Sequence, residues 1–329
     1  SPEILNGRIK TLHPKIHAGI LNKRKKKSHL KDLKKHKFEN IDLVIVNFYP
    51  FENVLKNTLS HKKIIENIDV GGPTMVRAAA KNYNDVTVIT SCSQYPDLIK
   101  EMNKQNGSTS IDFRKRMSQI AFSETAYYDA IISSYFNKFT NNYFPKKKII
   151  YGNLIEKLRY GENPHQEAAI YSQNQKLNLK QLSGKKLSYN NYNDIFAALL
   201  ISRSLPKNIG TTIIKHANPC GVSINKNELE SYKLALACDP ISAFGGIVSC
   251  NFKIDSKLAK ELNKIFLEVV IANNFEKDAL KILKRKKNLR LIDASSFVLN
   301  KKPKIISFNN AVLLQDEDQI KFTPKNFKV

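Results

Sequence analysis

The segment IIKHANPCG, Ile213 to Gly221, runs from apolar, β-branched residues into a lysine and a histidine placed side by side. A lysine ammonium can polarise a carbonyl oxygen, and a histidine that titrates near neutrality can move protons, so Lys215 and His216 together suit chemistry at a carbonyl carbon. A strand-end histidine beside a solvated lysine is the competing reading. LRYGENPHQ, Leu158 to Gln166, offers Arg159 for a phosphate or carboxylate, Tyr160 for stacking or hydrogen bonding, and His165 beside a proline; each also has a plain surface reading. In IENIDVGGPTMVRAAAKN, Gly71 and Gly72 predict a turn and Pro73 the first position of a helix, whose unpaired N–H groups and positive dipole end make a seat for an anion. Arg77 and Lys81 share one face of that helix. A ligand with phosphate or several carbonyl oxygens would suit them, and an ordinary tight turn beside a solvated cationic face fits the same residues. In GRIKTLHP, Arg8 and Lys10 alternate with Ile9, so both cations point one way from an extended segment. His13 and His17 have the spacing of ligands on a helical turn, but Pro14 intervenes and no carboxylate motif accompanies them, which argues against a metal.

These residues need elements to position them. IDLVIVNFYPF, Ile41 to Phe51, predicts a short buried strand with a loop at its carboxyl end, and DVTVIT, Asp85 to Thr90, a second. Strand, loop, helix and strand imply a parallel βαβ unit. Ile111 to Phe139 has the apolar spacing of a helix, and the polar, proline-interrupted stretch from Thr140 to Asn153 reads as a linker. Beyond it, LSYNNYNDIFAALL predicts a polar loop feeding a helix capped by Asn193 or Asp194, followed by the strand TTIIKH, a helix near Leu229 to Cys238, and the glycine-bearing DPISAFGGIVSCN. Ligands of open α/β sheets bind beyond the carboxyl ends of strands, so Asn47, Tyr49, Lys215 and His216 are all placed where a site is expected.

Composition bounds the partners. At 329 residues with 42% apolar content, 12 Gly and 12 Pro, the chain is globular and long enough for two domains. The net charge of +25 raises a nucleic-acid or anionic-membrane partner, but the basic residues are mostly Lys and spread along the chain. Abundant Lys, Asn and Ile are what an AT-rich coding sequence supplies, and that reading is preferred to a nucleic-acid surface. The densest basic run is KRKKK, Lys23 to Lys27. Cys92, Cys220, Cys238 and Cys250 form no C-x-x-C pair, which points away from zinc ribbons and disulfide frameworks and towards a reducing compartment. No apolar run approaches a membrane span and no signal pattern opens the chain, so a cytoplasmic location with no membrane partner is expected. The chain opens on Ser1, runs almost at once into NGRIKTLHPKIHAGIL, and reads as a fragment.

Together the segments NGRIKTLHPKIHAGIL, VIVNFYPF, ENIDVGGPTMVRAAAKN, RYGENPHQ, LSYNN, IKHANPCGV and DPISAFGGIVSCN resemble one family, in its order and over nearly the whole chain. It is the family of bifunctional purine-biosynthesis enzymes that join an inosine monophosphate (IMP) cyclohydrolase to an aminoimidazole-carboxamide ribonucleotide (AICAR) formyltransferase. The resemblance implies an α/β chain: a methylglyoxal-synthase-like parallel-sheet domain over residues 1–145, lacking its N-terminal part, then part of a cytidine-deaminase-like transferase region over 146–329, lacking its C-terminal part. It implies formyl transfer from 10-formyltetrahydrofolate to AICAR, giving the formylated nucleotide FAICAR, and dehydrative closure of FAICAR to IMP.

By motif, Arg8, Lys10, Thr11, Asn47, Tyr49, Asp69, Gly71, Gly72, Arg77 and Lys81 fall on the family's cyclohydrolase nucleotide site. Lys10 is the candidate for making the formyl carbonyl electrophilic, Tyr49 and Asp69 for handling protons, and Lys81 for a cation over the base. In the transferase, His216 would take the proton of the nucleotide amine while Lys215 steadies the developing oxyanion or the leaving group. Arg159, Tyr160 and Gly161 match the nucleotide-binding turn, with Asn191 and Asp316 as further candidates. No metal is expected: Cys220 follows a proline but lacks the partner cysteine and H-x-E element of zinc deaminases. The family forms homodimers with the transferase site at the subunit interface. Relative to it, the sequence lacks an upstream segment that supplies much of the cyclohydrolase phosphate loop and a downstream portion that completes the transferase, which bears on the activity of this chain. A basic nucleic-acid-binding protein and a non-catalytic remnant are the alternatives; the first predicts aromatics interleaved with Lys and Arg on an exposed reader surface.

Overall fold

The apolar runs become strands and the 3.6-residue patterns become helices in a computed structural model that describes residues 9–174, 176–299 and 303–316. The chain divides into two compact units, Ser1–Tyr151 and Gly152–Val329. Arg8 lies outside the described residues.

The first unit contains α1 (Pro14–Leu21), α2 (Lys27–His36), β1 (Leu43–Ile45), α3 (Phe51–Asn57), α4 (His61–Glu66), α5 (Gly71–Lys81), β2 (Thr87–Ile89), α6 (Tyr95–Lys104) and α7 (Ile111–Phe139). Strands β1 and β2 pair in parallel, Leu43 with Thr87 through Ile45 with Ile89. Val44, Val76, Val88, Ile89, Phe113 and Met117 form the core between this pair, α5 and α7. Helix α5 starts at Gly71 and not at Pro73, with Val70 as its N-cap residue. Pro73 therefore falls third, still within the first turn, where its missing N–H leaves no bond unmade. Residues 140–152 carry no helix or strand.

The second unit contains β3 (Asn153–Lys157), β4 (Ala169–Ser172), β5 (Lys180–Ser183), α8 (Tyr189–Ser204), β6 (Gly210–Lys215), β7 (Asn218–Ile224), α9 (Glu228–Cys238), β8 (Ile247–Cys250), α10 (Ser256–Leu262), β9 (Val269–Ala272), α11 (Lys277–Leu283), β10 (Arg290–Asp293), β11 (Lys304–Phe308) and β12 (Ala311–Gln315). Among the described residues its main sheet has the order β5-β10-β9-β8-β6-β7. Successive strand residues face opposite sides. Ile213, Val248, Val270 and Leu291 pack under α9, α10 and α11 on one face, while Ile214, Ile247, Val269, Ile271 and Ile292 pack under α8 on the other. Covering both faces is why these strands read as unbroken apolar runs.

One expectation fails here for a local reason. Helix α8 begins at Tyr189, capped by Ser188 in a reciprocal box with Asn191, so Asn193 and Asp194 lie inside the helix. Asparagine in the place usual for Glu or Gln hid that box in the sequence. NPCG, to which the sequence reading assigned no element, is strand: the chain reverses after Lys215 and β7 returns antiparallel along β6. Glycine is required in that return, because a Cβ on Gly221 would run into the backbone carbonyl oxygen of Ala235 in α9. Gly221→Ala is expected to destabilise the unit by about 3 kcal/mol, read as a lowered urea midpoint. A parental midpoint would show that α9 and β7 do not approach this closely.

Candidate functional site

In the first unit a polar group gathers around the start of α5. The Asp69 carboxylate accepts from the backbone N–H of Gly72 at 2.8 Å, and the Asp69 backbone N–H donates to the Tyr128 hydroxyl at 2.8 Å. Side chains close onto both glycines: a Cβ on Gly71 would meet the Thr11 hydroxyl, and one on Gly72 the Asp69 carboxylate. The predicted anion seat is thus partly filled by the protein's own carboxylate. Burial pushes the Tyr128 phenol up, offset by its bond to the Asp69 backbone and reinforced by the charge of Asp69, with Asp129 and Tyr49 contributing beyond them. Lys10 is exposed next to Thr11, and Tyr49 is 52% exposed. Asn47 and Cys92, at the carboxyl ends of β1 and β2, meet at 3.7 Å. The other cations lie further along α5. The Arg77 guanidinium sits over the Phe122 ring at 5.7 Å, and Lys81 is exposed about 15 Å down the helix axis from Gly71. Tyr128, missed by motif reading, is one of many aromatics on α7, and only packing singles it out. His13 caps α1 by accepting from the Lys15 N–H. Among the described residues no cluster of His, Cys, Asp and Glu could hold a metal.

In the second unit the candidate residues Lys215 and His216 stand at the carboxyl end of β6, as expected. Strand β6 runs antiparallel to β8, Ile214 opposite Ile247, while β8, β9 and β10 are mutually parallel. The carboxyl end of β6 therefore adjoins the amino ends of the parallel strands. At the carboxyl end of β8, Asn251 is 4% exposed, accepts from Gly210 N–H and donates to the carbonyls of Ser202 and Pro206.

At the carboxyl end of β6, Lys215 Nζ donates to the Phe244 carbonyl at 2.9 Å, bringing the DPISAFGG loop against the Lys-His pair. Close approach of that loop to β6 requires Gly246, whose Cβ would come within 2.8 Å of the Ile214 carbonyl oxygen. His216 and Ala217 form the turn between β6 and β7, and the Ala217 N–H donates to Asp194 Oδ1 of α8 at 2.7 Å. Burial pushes the Asp194 carboxyl up, opposed by its bond to Ala217 and the charge of His216. Hydrogen bonds from Ser242 hold the Asp239 carboxyl low, with Lys215 a smaller contributor. Burial raises the Cys220 thiol, as does Asp239, while Lys215 opposes them.

Next to this group, Glu268 at the start of β9 accepts from Asn191 Nδ2 at 2.8 Å and pairs with Arg290 at 3.5 Å. Asn191 is 4% exposed and its oxygen accepts from the Ser188 N–H, so both ends of its amide have protein partners. The RYG turn approaches the same corner. Arg159 stacks over Tyr160 at 5.1 Å, both act on the Arg290 charge after the dominant effect of burial, and Asn190 of α8 donates to the Glu162 carbonyl at 3.3 Å. Gly161 N–H donates to the Gln166 carbonyl, folding the loop on itself. Asp316 stands exposed after the separate β11–β12 hairpin, and no described hydrogen bond or ion pair links it to this group. Asp194, Glu268 and Arg290 were missed because each reads in sequence as an isolated charge flanking an apolar element.

A cation, an imidazole and two carboxylates at one corner can bind an anion and move a proton at a neighbouring carbonyl. Residues 79–329 match the family described as the AICARFT/IMPCHase bienzyme, and residues 1–74 match the MGS-like domain. The chain belongs to the AICARFT/IMPCHase bienzyme family. The boundary between these two matches falls inside α5, whereas the compact units meet after Tyr151, because α5 and β2 share one core. Bifunctional purine biosynthesis protein PurH of Clostridioides difficile (strain 630) is 44% identical over 326 residues, covering 97% of this chain and 64% of that protein. The proteins of that description from Rhizobium rhizogenes and Thermoanaerobacter sp. (strain X514) are 46% and 44% identical, covering 90% and 100% of this chain. The chain spans 56% and 65% of their lengths, so it accounts for only part of these AICARFT/IMPCHase relatives. A solved structure described as "Crystal structure of ForH" is 31% identical, covers 41% of this chain and 70% of that one, and has a TM-score of 0.36. The AICARFT/IMPCHase chain is of mixed α/β class, with the MGS-like domain first.

Proposed function

We propose that this chain takes part in the last two steps of purine nucleotide synthesis: formyl transfer from 10-formyltetrahydrofolate to AICAR, and closure of FAICAR to IMP. The observation that carries this reading is the junction of Lys215, His216, Asp194 and the Phe244 loop at one end of the sheet in a member of the bienzyme family. The AICAR amine is conjugated with the ring carboxamide and is a weak nucleophile. As it attacks the formyl carbon, His216 takes its proton. An ammonium has three donors. One Lys215 N–H is fixed on the Phe244 carbonyl, and the others face the oxyanion or the departing folate nitrogen. Arg159, Tyr160 and Gly161 hold the nucleotide, with Asn191 shaping the corner from within and Asp316 a further candidate.

Ring closure is assigned to residues 1–145 and transfer to 146–329. In the first, Lys10 polarises the formyl oxygen, Tyr49 and Asp69 exchange protons, and Arg8, Thr11, Asn47, Gly71, Gly72, Arg77 and Lys81 bind the nucleotide. Neither step is assigned a metal. A cytoplasmic homodimer with no nucleic-acid or membrane partner fits this reading; no helix among the described residues is long and apolar enough to cross a membrane. The test is incubation of the full-length protein with AICAR and 10-formyltetrahydrofolate, followed by mass spectrometry of the nucleotide. The expected result is gain of a formyl group and then loss of water. Binding of AICAR with no formylated product, while a relative works in the same assay, would sink the transfer reading.

A further inference from the structure

We propose that Asp194 is a positioning residue that aims His216, by holding the backbone N–H of Ala217 in a left-handed turn. The inference rests on the transfer reading for its functional half only. Residues His216 and Ala217 alone link β6 to β7, with Lys215 opposite Asn218. Such two-residue links favour positive φ at both positions, and the residues that supply it are Gly, Asn and Asp. Here φ is 51° at His216 and 59° at Ala217. A Cβ is disfavoured in this region, and alanine has no polar side chain to compensate. Backbone outliers of this kind persist where the surroundings over-determine them.

The turn is held from both sides. Asn218 Nδ2 donates to the His216 carbonyl at 2.9 Å, and Asp194 Oδ1 accepts from the Ala217 N–H at 2.7 Å. The second bond comes from a different element and is charge-assisted, the stronger kind. Asp194 is itself fixed, because its neighbours Ile195 and Ala198 on α8 are fully buried against the sheet. The direction of the His216 Cα–Cβ bond follows from the backbone angles of the turn. Relaxing Ala217 out of the left-handed region changes the backbone angles of the turn and so redirects the His216 side chain. Keeping a half-buried carboxylate here opposes the burial that raises its pKa, and nothing in the capping of α8 needs it, since Ser188 and Asn191 do that.

The experiment is amide hydrogen exchange at Ala217 combined with single-turnover formyl transfer, on the full-length protein. In Asp194→Ala, Ala217 is expected to lose about tenfold or more in protection while Thr212 and Ile213 of β6 keep theirs. Transfer should fall by about tenfold or more with the nucleotide KM within about twofold of the parent. Adding Ala217→Gly, which removes the Cβ from the left-handed position, should recover much of that rate; a merely structural role predicts no such rescue. Asp194→Asn keeps an oxygen acceptor without the charge and should fall between, and it carries the same comparison if the alanine variant does not fold. Unchanged Ala217 exchange, or no recovery on adding glycine, overturns the proposal. A parent that transfers nothing, but whose Ala217 protection depends on Asp194, would defeat the transfer reading and leave the turn device standing.

Discussion

His216→Ala is expected to lower formyl transfer by about 100-fold or more, the usual scale for losing a positioned general acid or base. Two observations set that size. His216 is exposed at the turn, and its backbone is fixed in the left-handed region by bonds on either side. A proton acceptor held in this way loses little to disorder before it acts. Nucleotide affinity should survive, because Arg159 and Tyr160 sit on a separate loop folded on Gln166. Lys215→Ala should also impair transfer. If the pair acts as a unit, the double substitution should cost less than the product of the single effects. A single-turnover rate unchanged in His216→Ala, with nucleotide and folate both saturating, would falsify the role given to this residue.

Lys10→Ala should abolish most IMP formation while leaving formyl transfer at the parental rate, so that FAICAR accumulates. Removing one donor to a developing oxyanion commonly costs about 100- to 1,000-fold. Lys10 is exposed beside Thr11, which closes onto Gly71 at the start of α5, next to Asp69. The residues proposed for transfer, Lys215 and His216, lie in the other compact unit. Asp69 is constrained as a proton carrier, since one of its oxygens is held by the Gly72 N–H and its own N–H by Tyr128. Chromatography of the nucleotides separates the outcomes. IMP appearing as fast as in the parent would mean that Lys10 has no chemical role, and loss of both products together would mean that the two activities are not divided between the units.

The sequence by itself determined several of the elements. Ile111 to Phe139 has helical periodicity along its length and is α7 over those residues; the apolar runs around Val44 and Val88 are paired strands; the lysine and histidine after Ile214 stand at a strand end. These features are local, set by side-chain period and backbone preference within a few residues. What needed the tertiary structure was every decision between segments distant in the chain. Asn218 to Ile224 is strand only because it can pair with β6, and β6 runs against β8 only because the chain reverses in the turn at His216 and Ala217. That reversal puts the candidate residues Lys215 and His216 beside the amino ends of β8, β9 and β10, where strand-end reasoning for an all-parallel sheet would not place them. Asp194, Glu268 and Arg290 gain their meaning there, from α8, β9 and β10, which the chain brings together over more than its local reach. Strand direction and pairing are fixed by the burial of whole faces and by loop closure, neither of which any single window of residues contains.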